Sequence, residues 1–265
     1  MVELVFVVEQ FVKCGDQGHP VHVDGVGTRR IGKTSVLKQL EHLAVATPEL
    51  GFVPVFWDLQ GADRPDDLHL DFADALLDAE ERLEAAGIRL QEVRADDCFQ
   101  SLGHLRRALQ LQGRRLLLLC DEVEELIQLH RKDPSLLRKL RRALHSKDGI
   151  RSVLASSSKL WQLADTNEDT SPFLDGFTPP VTIGCLDAEA ARQLIRQETL
   201  SPASRPALAA NEIERIRELC GDHPYQIQLL CRRVLDCGDL ESAIERVAHD
   251  RAVSFFFSVD FDLIG

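Results

Sequence analysis

The chain has 265 residues, 44% of them apolar and 28% charged, and a formal net charge of −12. Those figures suit a soluble globular chain with one large domain, or a core of roughly 150–200 residues and a smaller second unit. They exclude a general electrostatic attraction to nucleic acid, which would need a local basic patch, and no apolar run reaches the roughly 20 residues of a membrane span.

The N-terminal stretch MVELVFVVEQFVKCG has an apolar patch but no basic lead and no small-residue cleavage site, so it reads as mature sequence. The seven cysteines (14, 98, 120, 185, 220, 231 and 237) form no CxxC pair and are odd in number. Cys120, Cys185 and Cys231 lie in apolar segments. They read as small core residues of a reducing, cytoplasmic compartment, not as a disulfide frame or a zinc site.

The first expected strand is 20-PVHVDGV-26. A parallel strand buried on both faces should be almost wholly apolar, yet His22 and Asp24 alternate with valines here. Either the strand lies near a sheet edge or these groups find buried partners.

The loop 27-GTRRIGKTS-35 fits GxxxxGK[ST]. Gly27 and Gly32 let the backbone curl round phosphate oxygens without a Cβ clash, and the N–H groups of the next helix start point at the anion. Lys33 adds a full charge and Thr34 a hydroxyl suited to Mg²⁺. The nucleotide-binding set is Gly27, Thr28, Arg29, Arg30, Ile31, Gly32, Lys33, Thr34 and Ser35. Arg29 reads as solvated, whereas Arg30 is expected to pair with an acid or touch the γ-phosphate.

An amphipathic helix over 33–46 follows, with Val36, Leu37, Leu40 and Leu43 on one face. Then come a strand, 52-FVPVFWDL-59, and helices near 66–87 and 98–111. The strand 115-RLLLLCDE-122 runs through four leucines and a cysteine into Asp121 and Glu122. An apolar strand ending in acid suits a Mg²⁺ shell organised by Asp121, with Glu122 as general base on the attacking water. The bland alternative is a buried strand meeting an acidic helix start, since Glu124 and Glu125 follow.

A helical pattern over 123–146 includes 130-HRKDPSLLRKLRRALHSK-147, with seven Lys/Arg against one Asp. Leu136, Leu137, Leu140 and Leu144 form its apolar stripe; Arg131, Arg138, Arg141 and Arg142 form a basic face, most simply a solvated surface. The sharper alternatives are an arginine reaching a neighbouring subunit's γ-phosphate, or a nucleic-acid contact. Strand 151-RSVLASS-157 places Ser156 and Ser157 where a γ-phosphate could be sensed. A long polar loop, 164–180, leads to a last strand, 180-PVTIG-184.

After about residue 185 helices follow one another, near 187–198, 208–220, 224–236 and 239–250, with Asp187 as an N-cap and Pro224 in a first turn. Residues 199–207 form a loop within this unit. The expected fold is α/β: a P-loop NTPase core over 1–185 with a parallel β-sheet flanked by helices, a small helical lid over 186–250, and an apolar tail, 251-RAVSFFFSVDFDLIG-265.

GTRRIGKTS resembles the GPRRIGKTS loop of AAA-type ATPases of the STAND and archaeal-ATPase kind. RLLLLCDEVEEL resembles that group's Walker B segment, and 221-GDHPYQIQLLC-231 its lid segment GGHPYLLQLLC. The matches run in order over roughly residues 20–235. The resemblance implies an ATP·Mg²⁺ switch in which a lid closes over the nucleotide, with Pro224 near the base or sugar and His223 near the phosphates. Asp222 stands where the group usually has glycine, so lid geometry departs from its pattern there. The group's upstream adenine-contacting segment is not found in residues 1–20.

The leading expectation is a Mg²⁺-dependent, slow ATPase acting as a conformational switch between ATP and ADP states. The alternatives are a nucleotide-dependent assembly module without turnover, or a DNA-associated, initiator-like ATPase. The lid and the apolar tail are the expected surfaces for a homo-oligomer or a partner protein; a nucleic-acid partner is not favoured, and no membrane contact is expected.

Overall fold

A computed structural model describes residues 21–25, 30–62, 64–144, 149–157 and 181–250, with the backbone alone for 21–25, Pro134, Ser157 and Ala203. Residues 1–20, the phosphate-loop positions 26–29, the loop 164–180 and the tail 251–265, for each of which the sequence raised an expectation, lie outside these. Among the described residues the chain forms two compact units, one of residues 21–25 and 33–182, the other of residues 30–32 and 183–250.

The first unit is built on a five-stranded sheet. Its strands are β1 (Val21–Gly25), β2 (Phe52–Asp58), β3 (Arg115–Asp121), β4 (Ile150–Ser157) and β5 (Val181–Thr182). Every pairing is parallel and the order is β2-β3-β4-β1-β5. Parallel strands carry helices on their faces and read as apolar runs; Leu116 to Cys120 of β3 are all buried. β2 lies at one edge, where Pro54 can lack a ladder N–H without loss. Among the described residues β1 is next to the other edge, where Val181 and Thr182 of β5 pair with it.

Between the strands run α1 (Lys33–Ala46), α2 (Pro65–Asp78), α3 (Glu80–Ala85), α4 (Leu90–Val93), α5 (Cys98–Leu111), α6 (Leu126–Lys132) and α7 (Pro134–Leu144). The expected helix over 66–87 is broken at Ala79, whose ψ of 0° leaves the helical range. The expected helix over 123–146 is a 3₁₀ turn, Val123–Glu125, followed by α6 and α7. The break falls at Asp133, whose extended backbone (φ −144°, ψ 91°) is the one a residue before proline favours. The apolar stripe of α7 is as expected: Leu136, Leu137, Leu140 and Leu144 are buried. One large core joins α2 to α7 with β2, β3 and β4, with Trp57 against Phe72 at 4.8 Å between ring centroids.

The second unit is helical: α8 (Ala188–Arg196), α9 (Ala210–Cys220), α10 (Pro224–Cys237) and α11 (Leu240–Ala248). Asp187 caps α8 by accepting from the N–H groups of Glu189 and Ala190, and Pro224 occupies the first turn of α10. Ile195, Ile216, Ile227, Leu230 and Cys231 meet in its core. Cys120 and Cys231 are buried as expected, but Cys185 is exposed, because it falls in the bend between β5 and α8 and not within a strand.

Candidate nucleotide site

In a parallel sheet, ligands gather outside the carboxyl ends of the strands. β3 ends on Asp121, and the chain then turns at Glu122 through left-handed backbone (φ 51°). A non-glycine residue held there costs roughly 1–2 kcal/mol, and such strain collects at functional positions.

Asp121 is 3% exposed and both of its carboxylate oxygens are engaged. The Thr34 hydroxyl donates to Oδ2 at 2.6 Å across 87 residues of sequence. The Glu122 backbone N–H donates to Oδ1 at 3.0 Å. The fold therefore joins the first turn of α1, immediately after the phosphate loop, to the acidic end of β3. Lys33 opens α1 beside Thr34 and acts electrostatically on both acids.

The end of β2 adds a residue that the sequence reading passed over. Asp58 stands opposite Asp121 in the register of β2 and β3. Its signal was in the sequence, since FVPVFWD and RLLLLCD are both apolar strands closing on Asp. Only the pairing register shows that the two ends are neighbours.

Burial pushes the Asp121 carboxyl above its ordinary range; Thr34, the Glu122 N–H and Lys33 oppose the shift, and Asp58 reinforces it. Burial also raises Glu122, helped by the negative charges of Glu124, Asp121 and Asp58 and opposed by Lys33. Beside Asp121 and Glu122, two acids that resist ionisation, an added cation is favourable. The donors are oxygens, Thr34 Oγ1 and the carboxylates, which suits Mg²⁺ and not a softer metal. Among the described residues no group of three or more His, Cys, Asp or Glu side chains could hold a metal alone.

Ser156, near the end of β4, is fully buried and faces Asp24 in the β1 register. The Ser157 side chain lies outside the described residues, as do Gly27, Thr28 and Arg29. Ile31 is buried and Ser35 exposed.

The second unit holds Arg30, which also has left-handed backbone (φ 63°). Its guanidinium lies over the Tyr225 ring, 4.4 Å from the centroid. The sequence had given Arg30 an acidic or phosphate partner and had not singled out Tyr225. His223 is buried just ahead of Pro224, and Ile227, Leu230, Cys231 and Val234 turn the same helix into the core. Asp222 takes the left-handed conformation (φ 58°) that glycine would occupy freely. Arg217 grips its carboxylate with two bonds of 3.0 Å, and its carbonyl accepts from Leu186. The bend thus has two left-handed residues in succession, Gly221 (φ 55°) and then Asp222.

No protein-family model and no curated protein matches the chain. Solved structures do. A Walker-type ATPase of Pyrococcus abyssi superposes with a TM-score of 0.66 at 19% identity, over 92% of this chain and 69% of that one. The ORC2 protein of Aeropyrum pernix, determined in ADPNP–ADP complexes, gives 0.63 at 15% identity, over 93% of this chain and 67% of that one. The ORC1 protein of the same organism, determined in complex with DNA, gives 0.55 at 15% identity, over 99% of this chain and 64% of that one. The chain thus spans about two thirds of the length of these proteins and has the fold of AAA-type, P-loop ATPases.

Proposed function

We propose that the chain binds ATP with Mg²⁺ and hydrolyses it slowly, as a conformational switch of the STAND kind. The observation that carries this reading is the 2.6 Å hydrogen bond from Thr34 to Asp121. In the proposed site Lys33 and the phosphate-loop N–H groups, Gly27 to Ser35, bind the β- and γ-phosphates. Thr34 and Asp121 hold the Mg²⁺ shell, and Mg²⁺ supplies charge neutralisation on the phosphates when bound.

Glu122 then takes a proton from the attacking water. Its raised proton affinity suits a base working closer to neutrality than an ordinary carboxylate does. Pro224, at the start of α10, is the proposed contact to base or sugar. ATP and ADP would favour different states of the chain, so a partner or second copy could read the difference.

Turnover separates this reading from a module that binds without hydrolysing. Phosphate release from ATP and Mg²⁺ should fall by about 10²-fold or more in Glu122→Gln while ATP binding persists. Equal release from wild type and Glu122→Gln would remove Glu122 as the base.

A further inference from the structure

Charge in this acidic chain is segregated. Helices α5 and α7 carry Arg106, Arg107, Arg138, Lys139, Arg141 and Arg142 and no carboxylate. The two helices flank a groove of about 360 Å³ in the first unit. Its floor is apolar, made by Phe99, Leu102 and Ile150, of which the last two are buried. Its rim is cationic, made by Arg106, Lys139 and Arg142. Asp133, in the turn before α7, feels the charge of Lys139 but does not line the groove.

We infer that this groove docks an acidic peptide segment of a partner protein through one apolar anchor side chain. The volume is within the range of sites that hold compact ligands and admits an aromatic or long aliphatic side chain. Carboxylates flanking the anchor would meet Lys139 and Arg142, an arrangement that steers association and fixes register. A phosphodiester backbone satisfies the rim but brings nothing apolar to the floor. The Phe99 ring is in addition already edge-on to His69, with centroids 6.0 Å apart, which lessens its use as a stacking platform.

The test is fluorescence anisotropy on the full chain with a labelled short peptide bearing one Phe among glutamates. A matched peptide with Ser for Phe and a labelled single-stranded oligonucleotide complete the set. The Phe peptide should bind saturably, the Ser peptide about tenfold more weakly, and the oligonucleotide weakest of the three. Lys139→Glu with Arg142→Glu should weaken the Phe peptide at least tenfold at an unchanged circular dichroism spectrum, and Lys33→Ala should leave it unaltered. Equal binding of the Phe and Ser peptides to wild type, no peptide binding, or tighter binding of the oligonucleotide would each overturn the assignment. The comparison of peptides on wild type does not depend on how the charge-reversed variant folds.

Discussion

Glu122 carries two costs that a purely structural residue would shed: left-handed backbone and partial burial beside three other acids. Its folded-state proton affinity is raised, so ionisation is disfavoured by the fold. The destabilisation is absent at pH below the unfolded-state value and complete above the folded one. Glu122→Gln should therefore raise Tm at pH 7–8 in the absence of nucleotide, with the gain shrinking as pH falls towards the ordinary carboxylate range. A scan of Tm against pH checks this; a constant offset at all pH would point to a packing effect instead.

Asp222 offers a separate test. Asp222→Ala loses the Arg217 pair and retains a side chain at positive φ, whereas Asp222→Gly loses only the pair. Thermal denaturation should rank wild type above Asp222→Gly and Asp222→Gly above Asp222→Ala. At this scale Lys33, Thr34, Asp121 and Glu122 were legible, because the chemistry dictates residue type and spacing. The Asp58–Asp121 pairing and the Arg30–Tyr225 contact were not, because they arise from strand register and from the turn at Arg30, neither of which leaves a local pattern.

At the scale of elements, β3 carries the largest apolar commitment, with Leu118 fully buried at its centre between β2 and β4. Leu118→Ala should cost about 2–5 kcal/mol in denaturant unfolding. Asp97 caps α5 by accepting from the Gln100 N–H at 2.8 Å, and Asp97→Ala should cost about 1 kcal/mol in the same measurement. Most elements could be read from hydrophobic pattern: of the face expected for α1, Leu37 and Leu40 are buried and Val36 and Leu43 half-buried, and the apolar run of β3 is buried from Leu116 to Cys120. The four-residue helix α4 escaped because one turn is too short to show a period. The division between α6 and α7 is readable from Asp133-Pro134, where the residue before proline leaves the helical range. Strand order was not legible at all, since it depends on how each crossover packs on the sheet.

For the whole molecule, the sheet order β2-β3-β4-β1-β5 sets the carboxyl ends of β2 and β3 side by side, next to the start of α1. Two stretches 87 residues apart thereby become one candidate site, in a chain whose net charge of −12 would otherwise repel nucleotide. The account requires that local positive charge overcome the general repulsion, and Lys33 is the side chain it assigns to that task. The most direct measurement is equilibrium binding of ATP, with Mg²⁺ present, to wild type and to Lys33→Ala by titration calorimetry. The account predicts saturable binding by wild type at one ATP per chain, weakened by at least tenfold in Lys33→Ala, a loss on the order of 1.4 kcal/mol or more. Equal affinity in the two proteins would contradict it.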